Sequence, residues 1–171
     1  MKIAIIGYSG SGKSTLAKFL AKHYATSCLH LDTLRFLPQW QERSNEDMQK
    51  LVADFLDQHD SWVIDGNYSF CSYERRMEEA DQIIFMDFSP LNSLYRAFKR
   101  YLFYRGKTRE DMAPQCPEKL DWEFIRWILK DGRKPAAKER YRLVCDTYPN
   151  KVTIISNQKE LNNFMESVQK I

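Results

Sequence analysis

The segment Gly7-Tyr8-Ser9-Gly10-Ser11-Gly12-Lys13-Ser14 reads G-x-x-x-x-G-K-S and follows directly on the apolar run Lys2-Ile3-Ala4-Ile5-Ile6. Strand, glycine-rich turn and helical pattern, in that order, are the context in which this spacing means a phosphate-binding loop. Glycines let the backbone wrap close to phosphate oxygens, so successive N–H groups point at the anion. The helix that follows adds the positive end of its dipole. In such a loop Lys13 reaches the β- and γ-phosphates and the Ser14 hydroxyl sits on Mg²⁺. The nucleotide cradle is therefore expected over Gly7, Tyr8, Ser9, Gly10, Ser11, Gly12, Lys13, Ser14 and Thr15, with ATP and Mg²⁺ as the bound species.

A length of 171 residues predicts a single domain over 1–171, and 43% apolar residues suffice for a proper core. No run approaches the roughly 18 apolar residues of a membrane span. Met1-Lys2-Ile3-Ala4 enters the first strand at once, with no signal-peptide pattern, so a cytoplasmic location is expected. Cys28, Cys71, Cys116 and Cys145 are far apart and form no Cys-x-x-Cys pair. With His23, His30 and His59 equally scattered, neither a zinc site nor a disulfide framework is indicated. The net charge of +3 argues for no partner, but Arg96, Lys99, Arg100, Arg105, Lys107 and Arg109 cluster within fourteen residues, relieved only by Glu110 and Asp111.

Five short apolar runs read as strands of a parallel sheet covered on both faces: Lys2–Ile6, Ser27–Leu31, Trp62–Asp65, Gln82–Asp87 and Lys151–Ile155. Helical periodicity predicts Lys13 to Tyr24, with Leu16, Phe19, Leu20 and His23 inward. A capping box at Ser44 and Asp47 opens a helix in which Met48, Leu51, Val52, Phe55 and Leu56 follow at helical spacing. Further helices are expected over Leu91 to Tyr104 (Leu94, Tyr95, Phe98 and Leu102 inward), Pro117 to Leu129, Ala136 to Cys145 and Lys159 to Gln169. Between the fourth and fifth strands lie about sixty residues where a crossover needs a dozen or so. That surplus predicts a helical lid insertion over 90–148, with an acceptor-binding segment over 33–60.

A phosphate loop does not by itself separate kinase from GTPase or motor. Asn157-Gln158-Lys159-Glu160 has the wrong order for an Asn-Lys-x-Asp guanine reader, and the chain is too short for a large ATPase. A small kinase fits, because phosphoryl transfer needs positioning and charge neutralisation more than covalent help. Asp32 follows the second strand, where a carboxylate can orient an acceptor hydroxyl or take its proton; the alternative is a turn cap. Asp65 and Asp87 each close an apolar strand, the pattern of an acid that supports Mg²⁺ beside the loop; Asp65 is the favoured metal partner with Ser14, and Asp87 reads equally as a helix cap. Arg96, Arg100 and Arg105 read as lid arginines over the transferring phosphate. The same cluster also reads as a solvated charged face, or as a nucleic-acid patch with Tyr95, Tyr101, Phe103 and Tyr104 interleaved. Arg75, Arg76, Arg126, Arg133 and Arg140 have the chemistry to reach phosphate, but spacing does not rank them. Trp40, Trp122 and Trp127 read as packing, with Trp40 in the acceptor region.

Together these residues resemble the bacterial family of DNA topology modulation proteins, a branch of the adenylate-kinase-like P-loop kinases. The resemblance spans nearly the whole chain and rests on the phosphate-loop segment, His30-Leu31-Asp32, Trp62-Val63-Ile64-Asp65-Gly66-Asn67-Tyr68, Tyr104-Arg105-Gly106-Lys107-Thr108-Arg109 and Cys116-Pro117-Glu118-Lys119-Leu120-Asp121-Trp122-Glu123-Phe124. It implies an α/β, three-layer P-loop NTPase fold, a five-stranded parallel sheet in the order 2-3-1-4-5, a mobile lid and Mg-ATP. Adenylate kinases carry Asp-Gly-Phe-Pro-Arg where this chain has Asp65-Gly66-Asn67-Tyr68-Ser69, so AMP is not implied as acceptor. Asp32 after the second strand is more similar to small-hydroxyl kinases of the shikimate and gluconate types.

The expected activity is transfer of the γ-phosphate of ATP to a nucleoside, nucleotide or small hydroxylated metabolite. Lys13, Asp32, Arg96, Arg100 and Arg105 are the expected catalytic groups. The rival readings are an ATP-gated DNA-binding protein acting through its basic insertion, and a plain ATPase. The acceptor and the oligomeric state are not specified by the sequence.

Overall fold

A computed structural model describes residues 1–109 and 111–170, so Glu110 and Ile171 lie outside the described residues. Five strands, β1 (Lys2–Gly7), β2 (Ser27–His30), β3 (Trp62–Asp65), β4 (Gln82–Met86) and β5 (Val152–Ile155), pair in parallel in the order β2-β3-β1-β4-β5. This is the order expected, and each strand lies within a residue of its sequence-predicted bounds.

Successive strand residues serve opposite faces, as the period of two requires. Ala4, Ile6, Trp62, Ile64, Ile83 and Phe85 face one layer, formed by α3 (Asn45–Gln58), α4 (Tyr73–Glu79) and α7 (Pro135–Thr147). Ile3, Ile5, Val63, Ile84 and Met86 face the other, formed by α1 (Lys13–His23) and α8 (Gln158–Gln169). Because both faces are covered, the strands read as continuous apolar runs. No helix among the described residues is long and apolar enough to cross a membrane.

Two short elements were not foreseen before α3. A single-turn helix, α2 (Leu31–Arg35), is followed by a small antiparallel ribbon pairing Phe36 with Glu42 and Leu37 with Gln41. The seven-residue α4 was also missed, being too short to show periodicity. Ser44 does cap α3, its hydroxyl accepting from the Asp47 N–H at 3.1 Å.

Three expectations fail for identifiable reasons. In α1, Ala17 and Ala21 turn inward with Leu16 and Leu20, while His23 is exposed and stacks on Phe19. In α5 (Pro90–Tyr104) the residues turned inward are Ser93 and Ala97, which permit close approach; Tyr95 is 60% exposed, Phe98 47% and Leu102 56%. The predicted start of the next helix at Pro117 is wrong. Residues 117–118 bridge back to Thr108 and Arg105, and α6 (Trp122–Leu129) begins only where the Asp121 carboxylate accepts from the Phe124 N–H at 2.8 Å.

Candidate active site

The C-terminal ends of β1, β2 and β3 open into a cleft of about 1460 Å³. The loop from Gly7 to Gly12 forms its floor. Gly12 has φ +97°, a conformation that favours glycine, and it lies against the Arg96 guanidinium. Gly12 also caps α1 with no side-chain bond, which leaves the amides of the first helical turn for a ligand. The Tyr8 carbonyl gathers three donors: the Ser11 N–H at 3.2 Å, the Ser11 hydroxyl at 2.7 Å and the Lys13 ammonium at 3.1 Å. Burial pushes the Lys13 pKa down, nearby Arg100 adds to that, and Asp65 and Asp32 oppose it.

Asp65 ends β3 directly beside α1. One carboxylate oxygen accepts from the Ser14 hydroxyl at 2.9 Å, and the other bonds Nδ1 of His30. Burial alone would lower the His30 pKa, but the bond to Asp65 carries it up to about 10. Mg²⁺ takes one or two carboxylates and fills its remaining positions with water and phosphate oxygens. The Ser14–Asp65 pair fits that requirement, and His30 orients the carboxylate from behind. No cluster of three or more His, Cys, Asp and Glu suited to a metal exists among the described residues, so a cation here would depend on the triphosphate for most of its ligands. Asp87, the other candidate, is exposed and lines a separate pocket of about 720 Å³; the cap of α5 is Ser89, not Asp87.

Asp32 lines the same cleft from α2, and one of its oxygens accepts from the Tyr68 hydroxyl at 2.8 Å. Burial and then the Asp32 charge raise the Tyr68 pKa, so the phenol stays a donor. Around Asp32 stand Phe36 and Trp40, whose rings meet edge-on at 5.2 Å, and the Lys119 ammonium lies 4.5 Å over Trp40. The segment 112–116 packs against this ribbon: Cys116 donates to the Leu37 carbonyl at 3.3 Å, and the Gln39 N–H donates to the Gln115 carbonyl at 3.3 Å.

Of the three arginines foreseen as lid residues, Arg96 and Arg100 line the cleft and Arg105 does not; Arg105 is exposed beyond the end of α5. The Arg96 guanidinium lies against the phosphate loop, bonds the Gln158 side chain and pairs with no carboxylate among the described residues. Burial lowers its pKa. Arg100 is paired: Nε and a terminal nitrogen reach Glu118 at 2.8 and 2.7 Å. Arg109 reaches the other Glu118 oxygen at 2.6 Å and Asp111 at 2.6 Å.

Sequence reasoning missed several positioning groups. Asn67 accepts from the Gly7 N–H at 3.0 Å and donates to the Gly7 carbonyl, tying the loop after β3 to the mouth of the phosphate loop. Arg76 is fully buried and donates to the carbonyls of Cys71 (3.0 Å), Gly66 (3.3 Å) and Tyr68 (2.9 Å), so it supports that loop from below. Trp127 is half exposed, and its indole N–H donates to the Ser9 hydroxyl at 3.1 Å; Trp122 is 75% exposed and packs little. Only a folded chain reveals the contacts of Asn67 and Trp127, whose partners lie 60 and 118 positions away in sequence.

No family model matches the chain, and no curated protein matches it. Among solved structures it is similar to a shikimate kinase from Acinetobacter baumannii in complex with shikimate, with a TM-score of 0.63 and 18% identity over 99% of this chain and 90% of that one. It is also similar to the deoxyadenosine kinase of M. mycoides with products bound, with a TM-score of 0.52 and 15% identity over 99% of each chain. A shikimate kinase from Bacteroides thetaiotaomicron gives 0.50 and 15%, over 99% of this chain and 96% of that one. The chain has the α/β fold of P-loop kinases. At these identities the likeness speaks for the fold alone.

Proposed function

We propose that the protein is an ATP-dependent phosphotransferase that moves the γ-phosphoryl group onto a hydroxyl of a small molecule. The observation that carries this reading is that Asp32, fixed by Tyr68, shares one cleft with the phosphate loop and with the Ser14–Asp65 pair. A plain ATPase has no need of a second, aromatic-walled compartment with its own oriented carboxylate. The names of the similar structures, kinases of shikimate and of deoxyadenosine, favour the same class.

In this reading the amides of Gly7 to Thr15 and the Lys13 ammonium hold the triphosphate, with Lys13 leaving the Tyr8 carbonyl to do so. Mg²⁺, held by Ser14 and Asp65, would neutralise charge on the β- and γ-oxygens. Asp32 orients the acceptor hydroxyl and takes its proton as the new O–Pγ bond forms and the bond from Pγ to the β,γ-bridging oxygen breaks, releasing ADP. Arg96, already beside the loop, stabilises the equatorial oxygens. Arg100 joins it only when it exchanges Glu118 for phosphate. Residues 33–60 form the acceptor side and 90–148 the lid. Kinship with DNA topology modulation proteins rests on the sequence blocks alone. Half of the basic cluster is withdrawn from a DNA-binding role, because Arg100 and Arg109 are neutralised by Glu118 and Asp111 and Arg96 is turned into the cleft, leaving Lys99, Arg105 and Lys107 exposed.

The test is Asp32→Asn. It should keep ATP affinity within a few-fold while slowing transfer to an acceptor by about 10²-fold or more. Collapse of ATP binding with no selective loss of transfer would move Asp32 to the nucleotide site and remove the basis of the proposal.

A further inference from the structure

Helix α5 turns its small residues inward and its large apolar ones outward. Ser93 and Ala97 are buried against the domain, while Leu91, Tyr95, Phe98 and Leu102 are exposed, Leu91 by 75%. At about 100° of rotation per residue, these four side chains fall within roughly 60° of one another, directly opposite Ser93 and Ala97. Leu94 and Tyr101, half-buried, border the stripe. No charge lies on it: Arg96 and Arg100 line the cleft, and the Lys99 ammonium sits to one side, 5.3 Å over the Tyr95 ring.

The stripe is large for a surface that faces water. A fully exposed aromatic side chain offers about 150–250 Å², so six residues at these exposures amount to roughly 500–600 Å², the top of the range for the largest apolar patch of a monomer. Glu110 and Ile171, the two residues outside the described ones, are single residues and too small to cover it. Two such stripes facing each other would bury roughly 1,100 Å², which clears the about 1,000 Å² expected of a biological interface.

The order of the residues identifies the partner. Leu91, Tyr95, Phe98 and Leu102 are spaced 4-3-4 and read leucine, aromatic, aromatic, leucine in either direction along the helix. A palindromic stripe is complementary to its own copy, as an interface around a two-fold axis requires. We infer that α5 is a self-association surface, on which two copies of the chain pair antiparallel about an axis passing between Tyr95 and Phe98. Leu91 then meets Leu102 of the second copy, and Tyr95 meets its Phe98. Antiparallel packing sets the helix dipoles head to tail. It also keeps the exposed basic ends at Arg105 and Lys107 about 20 Å apart, beyond the Debye length of about 8 Å. A nucleic acid or an anionic membrane would call for cations on the contact face, and the stripe carries none. Tyr95 also lines the cleft, so the second copy stands at its rim. The inference goes beyond the transfer reading and does not depend on it.

The test is sedimentation velocity of the full chain from about 1 to about 100 µM, at low and high salt. Wild type should run as a dimer at the upper end of that range, and the dimer should persist as salt rises, because its contacts are apolar. Phe98→Glu and Leu91→Glu change exposed residues, so both should stay folded by far-UV spectrum and Tm. Each should raise the dissociation constant at least about 30-fold, as for loss of an interface hot spot. Leu143→Glu, which changes an exposed leucine on α7, should remain dimeric. Combining Leu91→Glu with Leu102→Lys sets opposite charges against each other across the two-fold axis and should recover at least about tenfold of the lost affinity.

A wild type that stays monomeric at about 100 µM overturns the inference, and co-sedimentation of that monomer with phosphatidylserine vesicles would give the stripe to a membrane surface instead. Dissociation on raising the salt, or a Phe98→Glu protein as dimeric as wild type, also contradicts it. So does an equal loss in Leu143→Glu, or no recovery in the paired variant.

Discussion

His30 and Asp65 stand opposite one another in the register of β2 and β3, and the His30 ring bonds one carboxylate oxygen while the Ser14 hydroxyl takes the other at 2.9 Å. The sheet's own pairing thus orients the acid that faces the phosphate loop. Replacing Asp65 by Asn should raise the Mg²⁺ concentration for half-maximal activity at least tenfold. His30→Ala should have a similar but smaller effect, in the range of about 10- to 100-fold seen for groups that orient metal ligands. A Mg²⁺ titration of ATP turnover checks both, and an unchanged Mg²⁺ requirement in Asp65→Asn would remove it from the metal site.

Asn67 holds Gly7 through both its N–H and its carbonyl. Asn67→Ala leaves two backbone groups at the mouth of the loop without partners, at a cost of about 1–3 kcal/mol each where water does not replace the bond. Urea unfolding should show the lost stability, and KM for ATP should rise with little change in the acceptor's KM. An ATP KM equal to wild type would mean that the loop keeps its shape unaided.

Arg76 has no carboxylate partner among the described residues, and burial brings its pKa down to about 10. Its removal strands three carbonyls beneath the loop 66–71. Arg76→Met should cost about 3 kcal/mol or more, by analogy with breaking buried charged networks. Chemical denaturation measures this directly, and a change under about 1 kcal/mol would show that the loop does not depend on it.

Much of this architecture is legible before folding because strand runs and phosphate-loop spacing are local signals. The five strands and the placing of Lys13, Ser14 and Asp65 at their ends follow from patterns a few residues long. The face of α5 is not legible in that way. Its largest apolar residues suggested an inward stripe, yet packing admits Ser93 and Ala97 and leaves Tyr95, Phe98 and Leu102 exposed. Tyr68 on Asp32 and Trp127 on Ser9 join residues 36 and 118 positions apart, beyond any spacing rule. The same holds for Arg100, whose engagement with Glu118 is a property of the lid's fold and not of its charge run.

Glu118 is almost fully buried and shared by Arg100 and Arg109. Glu118→Gln leaves Arg100 without an anion and Arg109 with Asp111 alone, so the segments 105–109 and 111–119 should open more readily. Limited trypsin digestion should cleave there at least several-fold faster than in wild type, with the far-UV spectrum unchanged, and bound Mg-ATP should slow that cleavage. Equal cleavage rates would show that the pair does not hold these segments.

The most direct test of the account is Mg-ATP consumption against nucleosides, nucleoside monophosphates and small hydroxylated acids, with Lys13→Ala as the blank. The account predicts ADP release that one acceptor class accelerates well above the acceptor-free rate, with equimolar phosphorylated product, and loss of that activity by orders of magnitude in a folded Lys13→Ala protein. ATP hydrolysis that no acceptor accelerates, or turnover that survives Lys13→Ala, would contradict it.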